Sequence, residues 1–210
     1  MKIVVYNNKG GVGKTSLTCH VAFSAIERGC PLTVIDADRQ NNTMQWLSAH
    51  EWDGDESYDV GSIHVTTDID TDDSGLVVVD APPAFDFVQN VRNADVWIIP
   101  VSGRFSVSGA MNVIEEIRSV GRGRIVLVAN MCDVNTMIGK TEIEQIRKLN
   151  VELFKLPIPR HDTVRKGEMQ GVASWQVPYG SRSSAAQNLK LFANWILGGC
   201  NSGGVYGKER

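Results

Sequence analysis

The sequence predicts an α/β protein, a single domain with a mostly parallel, roughly seven-stranded sheet flanked by helices. Short β-branched runs alternate with longer segments of helical periodicity, the pattern of parallel strands joined by crossover helices. Several runs are apolar on both faces (Val77, Val78 and Val79; Ile98 and Ile99; Ile125 to Val128), as strands covered by two helical layers must be. Three runs stop at a polar residue, Asp36, Asp80 or Asn130, and ligands of open α/β sheets lie at the carboxyl ends of the strands.

In chain order the strands are expected at Lys2 to Tyr6, Leu32 to Asp36, Ile63 to Thr67, Leu76 to Asp80, Val96 to Val101, Ile125 to Asn130 and Leu153 to Leu156. The helices are expected at Lys14 to Arg28, Thr43 to His50, Phe85 to Arg92, Ser106 to Val120, Thr141 to Leu149 and Ser184 to Leu197. Gly29 and Gly121 follow two of these, where a helix end favours a left-handed residue. The domain is expected over residues 1–197, and the Gly-rich, aperiodic stretch 198–210 reads as a flexible tail.

Composition narrows the class. The chain has 210 residues, 42% hydrophobic and 21% charged, which fits one globular domain with a sizeable core. A net charge of −3 excludes a globally basic nucleic-acid binder and leaves room for a local basic patch. The four cysteines, Cys19, Cys30, Cys132 and Cys200, form no C-x-x-C pair and read as reduced, buried thiols. No long apolar stretch suggests a leader or a membrane span, so a cytoplasmic protein is expected. The acidic run Asp68, Asp70, Asp72, Asp73 fails the EF-hand template, which needs Gly at Asp73 and Glu at Val79. Trp46, Trp52, Trp97, Trp175 and Trp195 are dispersed and read as packing residues; His20, His50, His64 and His161 show no triad or ligand spacing.

The strongest local signal is Asn7-Asn8-Lys9-Gly10-Gly11-Val12-Gly13-Lys14-Thr15-Ser16, placed after the first strand and opening the first helix. Glycines there let backbone N–H groups turn inward around a polyphosphate, and the helix N-terminus adds its partial positive charge. Gly10 to Ser16 would cradle the phosphates, Lys14 would reach the β and γ phosphates, and Thr15 would offer its hydroxyl to Mg²⁺. The ordinary P-loop pattern needs Gly at Asn8, and this chain carries an extra lysine, Lys9, before the glycine pair instead.

The resulting string KGGVGKT resembles the deviant Walker A motif of the ParA/MinD family of ATPases. Asp36-Ala37-Asp38-Arg39-Gln40 resembles that family's switch I, with Arg39 in place of the usual proline; taken alone, Asp-Ala-Asp after a strand reads as a turn or a helix cap. By resemblance Asp38 would orient the attacking water, while Asp36 and Asp80 would support Mg²⁺. Val77 to Pro83 resembles the Walker B and switch II segment, Asn130 an adenine-contacting Asn, and Pro157 to Arg160 the base-pocket loop. Asn130, Pro157 and Arg160 therefore join the expected nucleotide site.

The same resemblance, which extends to about Leu197, implies the short ParA type without an N-terminal DNA-binding domain. It implies an ATP-bound homodimer in which Lys9 crosses to the other subunit's nucleotide, non-specific DNA as the surface gripped, and a ParB-like adaptor that stimulates hydrolysis. Nucleoid association in the ATP state follows. Arg165, Lys166, Arg182 and Lys190 are the DNA-contact candidates, with Arg118, Arg122 and Arg124 as a second basic cluster. Two other readings stay open: a MinD-like or cargo-positioning ATPase acting on a membrane or protein cargo, and a metabolic P-loop ligase. The last helix, with Lys190 as its single basic residue, argues against a membrane-binding amphipathic helix.

Overall fold

A computed structural model describes residues 1–49, 51–71, 75–91, 93–103, 106–120 and 123–198. His50, Asp72, Asp73, Arg92, Gly121, Arg122, Cys200 and the expected tail from 199 onward lie outside the described residues. The strands are β1 (Lys2–Val5), β2 (Leu32–Asp36), β3 (Ser57–Val60), β4 (Ile63–Thr66), β5 (Val77–Asp80), β6 (Val96–Val101), β7 (Arg124–Cys132), β8 (Glu152–Leu153) and β9 (Ile158–Pro159). They form one sheet in the order β3-β4-β2-β5-β1-β6-β7-β8, with β9 continuing along β7. Every pairing is parallel except β3 with β4.

The helices are α1 (Lys14–Arg28), α2 (Asn42–Leu47), α3 (Phe87–Asn90), α4 (Ser106–Val120), α5 (Met137–Arg147), α6 (Asp162–Gln170) and α7 (Ser184–Leu197). They cover both sheet faces and make two apolar layers. One gathers Ile3, Val34, Val78 and Val126 under Leu17, Phe23 and Phe192; the other gathers Val4, Val79, Ile99 and Leu127 under Val113, Ile117 and Ile146. The strands alternate between these layers residue by residue, which is why they are apolar throughout.

The expected sheet of about seven strands is thus a nine-stranded one among the described residues. Ser57–Val60 reads as polar, yet Gly61-Ser62 is a two-residue hairpin loop, with Gly61 at φ 60°, that folds it back onto β4, as a tight turn with a left-handed residue does. The expected strand Leu153 to Leu156 shrinks to Glu152–Leu153: Phe154 donates its N–H to the Leu127 carbonyl (2.9 Å), and the chain then turns into Pro157.

Helix α5 starts four residues before the expected Thr141, capped by Thr136, whose hydroxyl accepts the Gly139 N–H. Exposed Met137 and Ile138 hide that first turn from a periodicity reading. Helix α6 is absent from the sequence expectation, because it buries only Thr163 and Gly167 and so has almost no apolar stripe. Helices α2 and α3 are shorter than expected, the latter because Val91 is already extended. Gly29 has φ 61° and ends α1 as expected. Cys19, Cys30 and Cys132 are buried. Among the described residues no helix is long and apolar enough to cross a membrane.

Candidate nucleotide site

Strand register builds the site. Asp36 and Asp80 are paired neighbours at the ends of β2 and β5, and Val5, the last residue of β1, pairs with Asp80 on its other side. Where β1 ends, the chain becomes the Gly-rich loop and then α1, so the loop lies directly over two buried carboxylates. Asn7 fixes its entry: the side-chain amide donates to the Pro100 carbonyl (2.9 Å) and the amide oxygen accepts the Lys9 N–H (2.9 Å). Pro100 suits this place in an inner strand, since the edge that lacks an N–H faces β1 where β1 has already left the sheet.

Gly13 sits at φ 92°, ψ 30° immediately before α1 and caps it without any side chain, leaving the first helical N–H groups available to an anion. Asn130, at the irregular end of β7, donates its amide to the Val12 carbonyl (2.8 Å) and braces the loop from the opposite side. Lys14 is buried and reaches the Lys9 carbonyl (3.2 Å). Burial holds its pKa below the usual lysine value, against the pull of Asp80 and Asp38. An incoming phosphate would restore a full ionic partner to it.

Beneath the loop, the Thr15 and Thr43 hydroxyls both donate to Asp80 Oδ2, each at 2.7 Å, while Asp80 Oδ1 is buried with no hydrogen-bond partner. Asp36 spends both oxygens on backbone, Oδ1 accepting the Asp38 N–H (3.2 Å) and Oδ2 the Met44 N–H (3.0 Å), so it braces the loop that carries Asp38. Burial pushes the Asp36 carboxyl up to about 7 and Asp80 up to about 6, with Asp80 repelling Asp36 and Asp38 repelling both. Two crowded carboxylates, a hydroxyl and an orphaned carboxylate oxygen are hard donors of the kind Mg²⁺ takes. The residues present fit such an ion, with Thr15 and Asp80 to hold it.

A cleft of about 670 Å³ runs from Gly10, Gly11, Gly13, Lys14, Thr15 and Ser16 past Asp38 and Asn130 to Ile158, Pro159 and Arg160, continuing along α6 to Arg165. That volume suits a nucleotide-sized ligand. Of the residues expected here, Pro157 lies off the lining; its carbonyl accepts the Asn188 amide (2.8 Å) and thereby places the strand that does line it. Val12 is buried and contributes its carbonyl to Asn130. Lys9 is exposed on the rim.

The profile of the CobQ/CobB/MinD/ParA nucleotide binding domain matches residues 3–174. The chain belongs to that family. Within the CobQ/CobB/MinD/ParA family it is 24% identical over 208 residues to the Maintenance of carboxysome distribution protein A of Halothiobacillus neapolitanus, covering 93% of this chain and 95% of that one. Among solved structures the fold matches Cyanothece McdA in an ATP complex with a TM-score of 0.74 at 15% identity, over 93% of this chain and 95% of that chain. It matches the Aquifex aeolicus MinC:MinD cell division complex with a TM-score of 0.72 at 20% identity, over 100% of this chain and 98% of that chain.

The DNA-contact candidates differ in their surroundings. Arg165 and Lys166 are exposed on α6, with Arg165 at the cleft mouth beside Arg160. Arg182 lies over the Tyr179 ring, 5.6 Å from its centre. Lys190 pairs with Glu27 (2.9 Å) and lies over Trp175, 5.1 Å from the ring centre. Of the second cluster, Arg118 is on α4, whereas Arg124 is held by Glu152 at the β7 edge and covers Trp195.

Sequence reading misses Asn7, Thr43 and His20. Asn7 has a signal in its place one residue past the first strand; Thr43 and His20 look like ordinary helix residues. The His20 ring donates from Nδ1 to the Ser16 carbonyl (2.6 Å) and accepts the Ser174 N–H at Nε2 (3.1 Å), between the Trp46 and Trp175 rings. It joins the end of the phosphate loop to the segment after α6. Burial pushes its pKa down to about 4.

Between pH 6.5 and 4 the unfolded chain therefore takes up a proton here that the folded protein refuses. Stability falls as pH drops through that window, by roughly 3 kcal/mol in all. Asp36 and Asp80, raised in the fold, act in the opposite direction, so the His20 share is the difference between wild type and His20→Gln. Urea unfolding in EDTA at pH 7.5, 6 and 5 measures it. Wild type is expected to lose stability relative to the variant at the lower values, and parallel pH profiles would refute the assignment.

Proposed function

We propose that this chain is an ATP-driven dimerisation switch. In the ATP state it forms a homodimer that grips non-specific DNA, and hydrolysis stimulated by a ParB-like adaptor releases it, so that a plasmid or other replicon is distributed along the nucleoid. The observation that carries the nucleotide half is the loop of N–H donors over the orphaned Asp80 oxygen, with Lys14 buried between them. Loop amides and Lys14 bind and neutralise the phosphates, Thr15 and Asp80 hold Mg²⁺, and Asp38, on the cleft wall, orients water. Mg²⁺ would supply charge compensation at the phosphate oxygens.

Lys9 supports the dimer. It stands exposed on the rim while Lys14 occupies the interior, so the two lysines serve different nucleotides when two rims meet. Arg165, exposed at the cleft mouth, and its exposed neighbour Lys166 are the favoured DNA contacts; Lys190, already paired, is a weaker one. A second reading, distribution of a protein assembly by the same switch, is favoured by the likeness along almost the whole chain to the carboxysome distribution protein.

The deciding experiment is retention of non-specific duplex DNA by Asp38→Ala protein, a substitution chosen to trap the ATP state. Binding with ATP and not ADP is expected, falling by about 100-fold or more between about 50 and 200 mM salt as phosphate contacts are screened. No retention at low salt would overturn the DNA reading, and liposomes or a protein cargo would be the surfaces to try next.

A further inference from the structure

The oddest feature of the site is that two threonines from different elements donate to the same oxygen of one buried carboxylate. Thr15, in the first turn of α1, is accounted for by the phosphate loop. Thr43 belongs to α2, on the far side of the segment carrying Asp38, and is itself fully buried. Its hydroxyl gives its proton to Asp80 Oδ2 and receives a weak Cys19 Sγ contact (3.9 Å), so its orientation is fixed from both sides.

The neighbouring residue repeats the pattern. Met44 donates its N–H to Asp36 Oδ2, so the first turn of α2 is tied to both members of the in-register carboxylate pair, by a side chain to one and by backbone to the other. The segment from Ala37 to Asn41 is thus held at each end by the same two residues: Asp36 Oδ1 accepts the Asp38 N–H, and the Asp80 carbonyl accepts the Ala37 N–H (3.0 Å).

We propose that Thr43 is a positioning residue for the metal: it fixes the Asp80 carboxylate with Oδ1 left for Mg²⁺ and transmits metal loading to the segment that carries Asp38. The proposal rests on the nucleotide-site reading above and adds to it. The physical case is an asymmetry in demand. Thr15 has two demands on one hydroxyl, a lone pair for a cation and its proton for Asp80, and a single side-chain orientation must meet both. Thr43 has one, because it sits behind the carboxylate. Thr43 is thus a donor to Asp80 with no second demand on it, and would keep the carboxylate from rotating so that the orphaned oxygen stays available to the ion. Partners one shell out from a metal commonly change its affinity by about 10- to 100-fold when removed.

The test compares wild type with Thr43→Val, which keeps the shape and removes the hydroxyl, and Thr43→Ser, which keeps the hydroxyl. A fluorescent ATP analogue is titrated with Mg²⁺ and, separately, in EDTA. Thr43→Val is expected to need about 10-fold more Mg²⁺ for half-maximal effect while its affinity in EDTA stays within about twofold of wild type; Thr43→Ser should follow wild type. Trypsin gives an independent readout, because Arg39 is exposed in the segment concerned. Mg²⁺ with nucleotide should protect the bond after Arg39 in wild type and Thr43→Ser, and fail to do so in Thr43→Val.

An unchanged Mg²⁺ requirement in Thr43→Val overturns the proposal, as does an equal loss in Thr43→Ser. If Thr43→Val does not fold, Thr43→Ala takes its place in both assays under the same criteria. A wild-type protein indifferent to Mg²⁺ would instead overturn the metal reading itself, and Thr43's role with it.

Discussion

Lys14→Ala is expected to weaken ATP binding by at least about 100-fold, roughly 3 kcal/mol, while leaving the fold intact. The ammonium is buried, it makes a single modest bond to the Lys9 carbonyl, and burial already holds its pKa down, so the folded protein gains little from it before a ligand arrives. A phosphate changes that balance, because charge-assisted bonds in a desolvated site are about twice as strong as neutral ones. Thermal unfolding of the free variant should therefore resemble wild type, and isothermal titration with Mg-ATP should show little heat. Lys9→Ala is the companion. With its side chain outside the cleft lining, it should leave monomer affinity within about threefold and lose the ATP-dependent dimer, which light scattering reads directly. Wild-type affinity in Lys14→Ala would remove the interior lysine from phosphate binding; an intact Lys9→Ala dimer would refute the cross-subunit role.

How far these contrasts are legible in the sequence depends on which force sets each feature. The runs at Val77 to Asp80 and Val96 to Val101 announce themselves because burial on both faces leaves no polar residue to interrupt them, and α1 and α7 match their expected bounds because caps and apolar stripes agree. Features set by register or by one hydrogen bond are hidden. The sequence brings Asp36 and Asp80 to one crevice, but it does not show that they are register partners, and so predicts neither their mutual effect on protonation nor the use of both Asp36 oxygens by backbone. Thr43 is silent for the same reason: its partner is distant in sequence and its neighbours read as any short helix. Helix α6 escapes notice because burying two small residues needs no hydrophobic stripe. His161 before it and Gly171 after it, at φ 65°, are nevertheless cap signals that the sequence carries.

The brace between the phosphate loop and β7 gives the second large effect. Gly13→Ala is expected to cost roughly 3 kcal/mol of stability or more and to abolish nucleotide binding, since a Cβ at Gly13 would overlap the Asn130 Nδ2. Left-handed backbone alone is a smaller matter. Gly11 is also left-handed, at φ 71°, but has open space around its Cβ position. Gly11→Ala should therefore cost only the backbone term of about 1 kcal/mol. The difference between the two measures the collision. Asn130 cannot yield without giving up its bond to the Val12 carbonyl, which is the bond that holds the loop in shape. Asn130→Ala removes both the obstacle and the brace, so the two substitutions should be strongly non-additive. The double variant Gly13→Ala/Asn130→Ala is expected to be more stable than the sum of the single losses by about 1 to 2 kcal/mol, yet to bind nucleotide no better than Asn130→Ala alone. Urea midpoints of the four proteins complete the cycle. Simple additivity would mean that the loop relieves the clash by shifting as a whole, and Asn130 would then be a neighbour of the phosphate loop instead of its support.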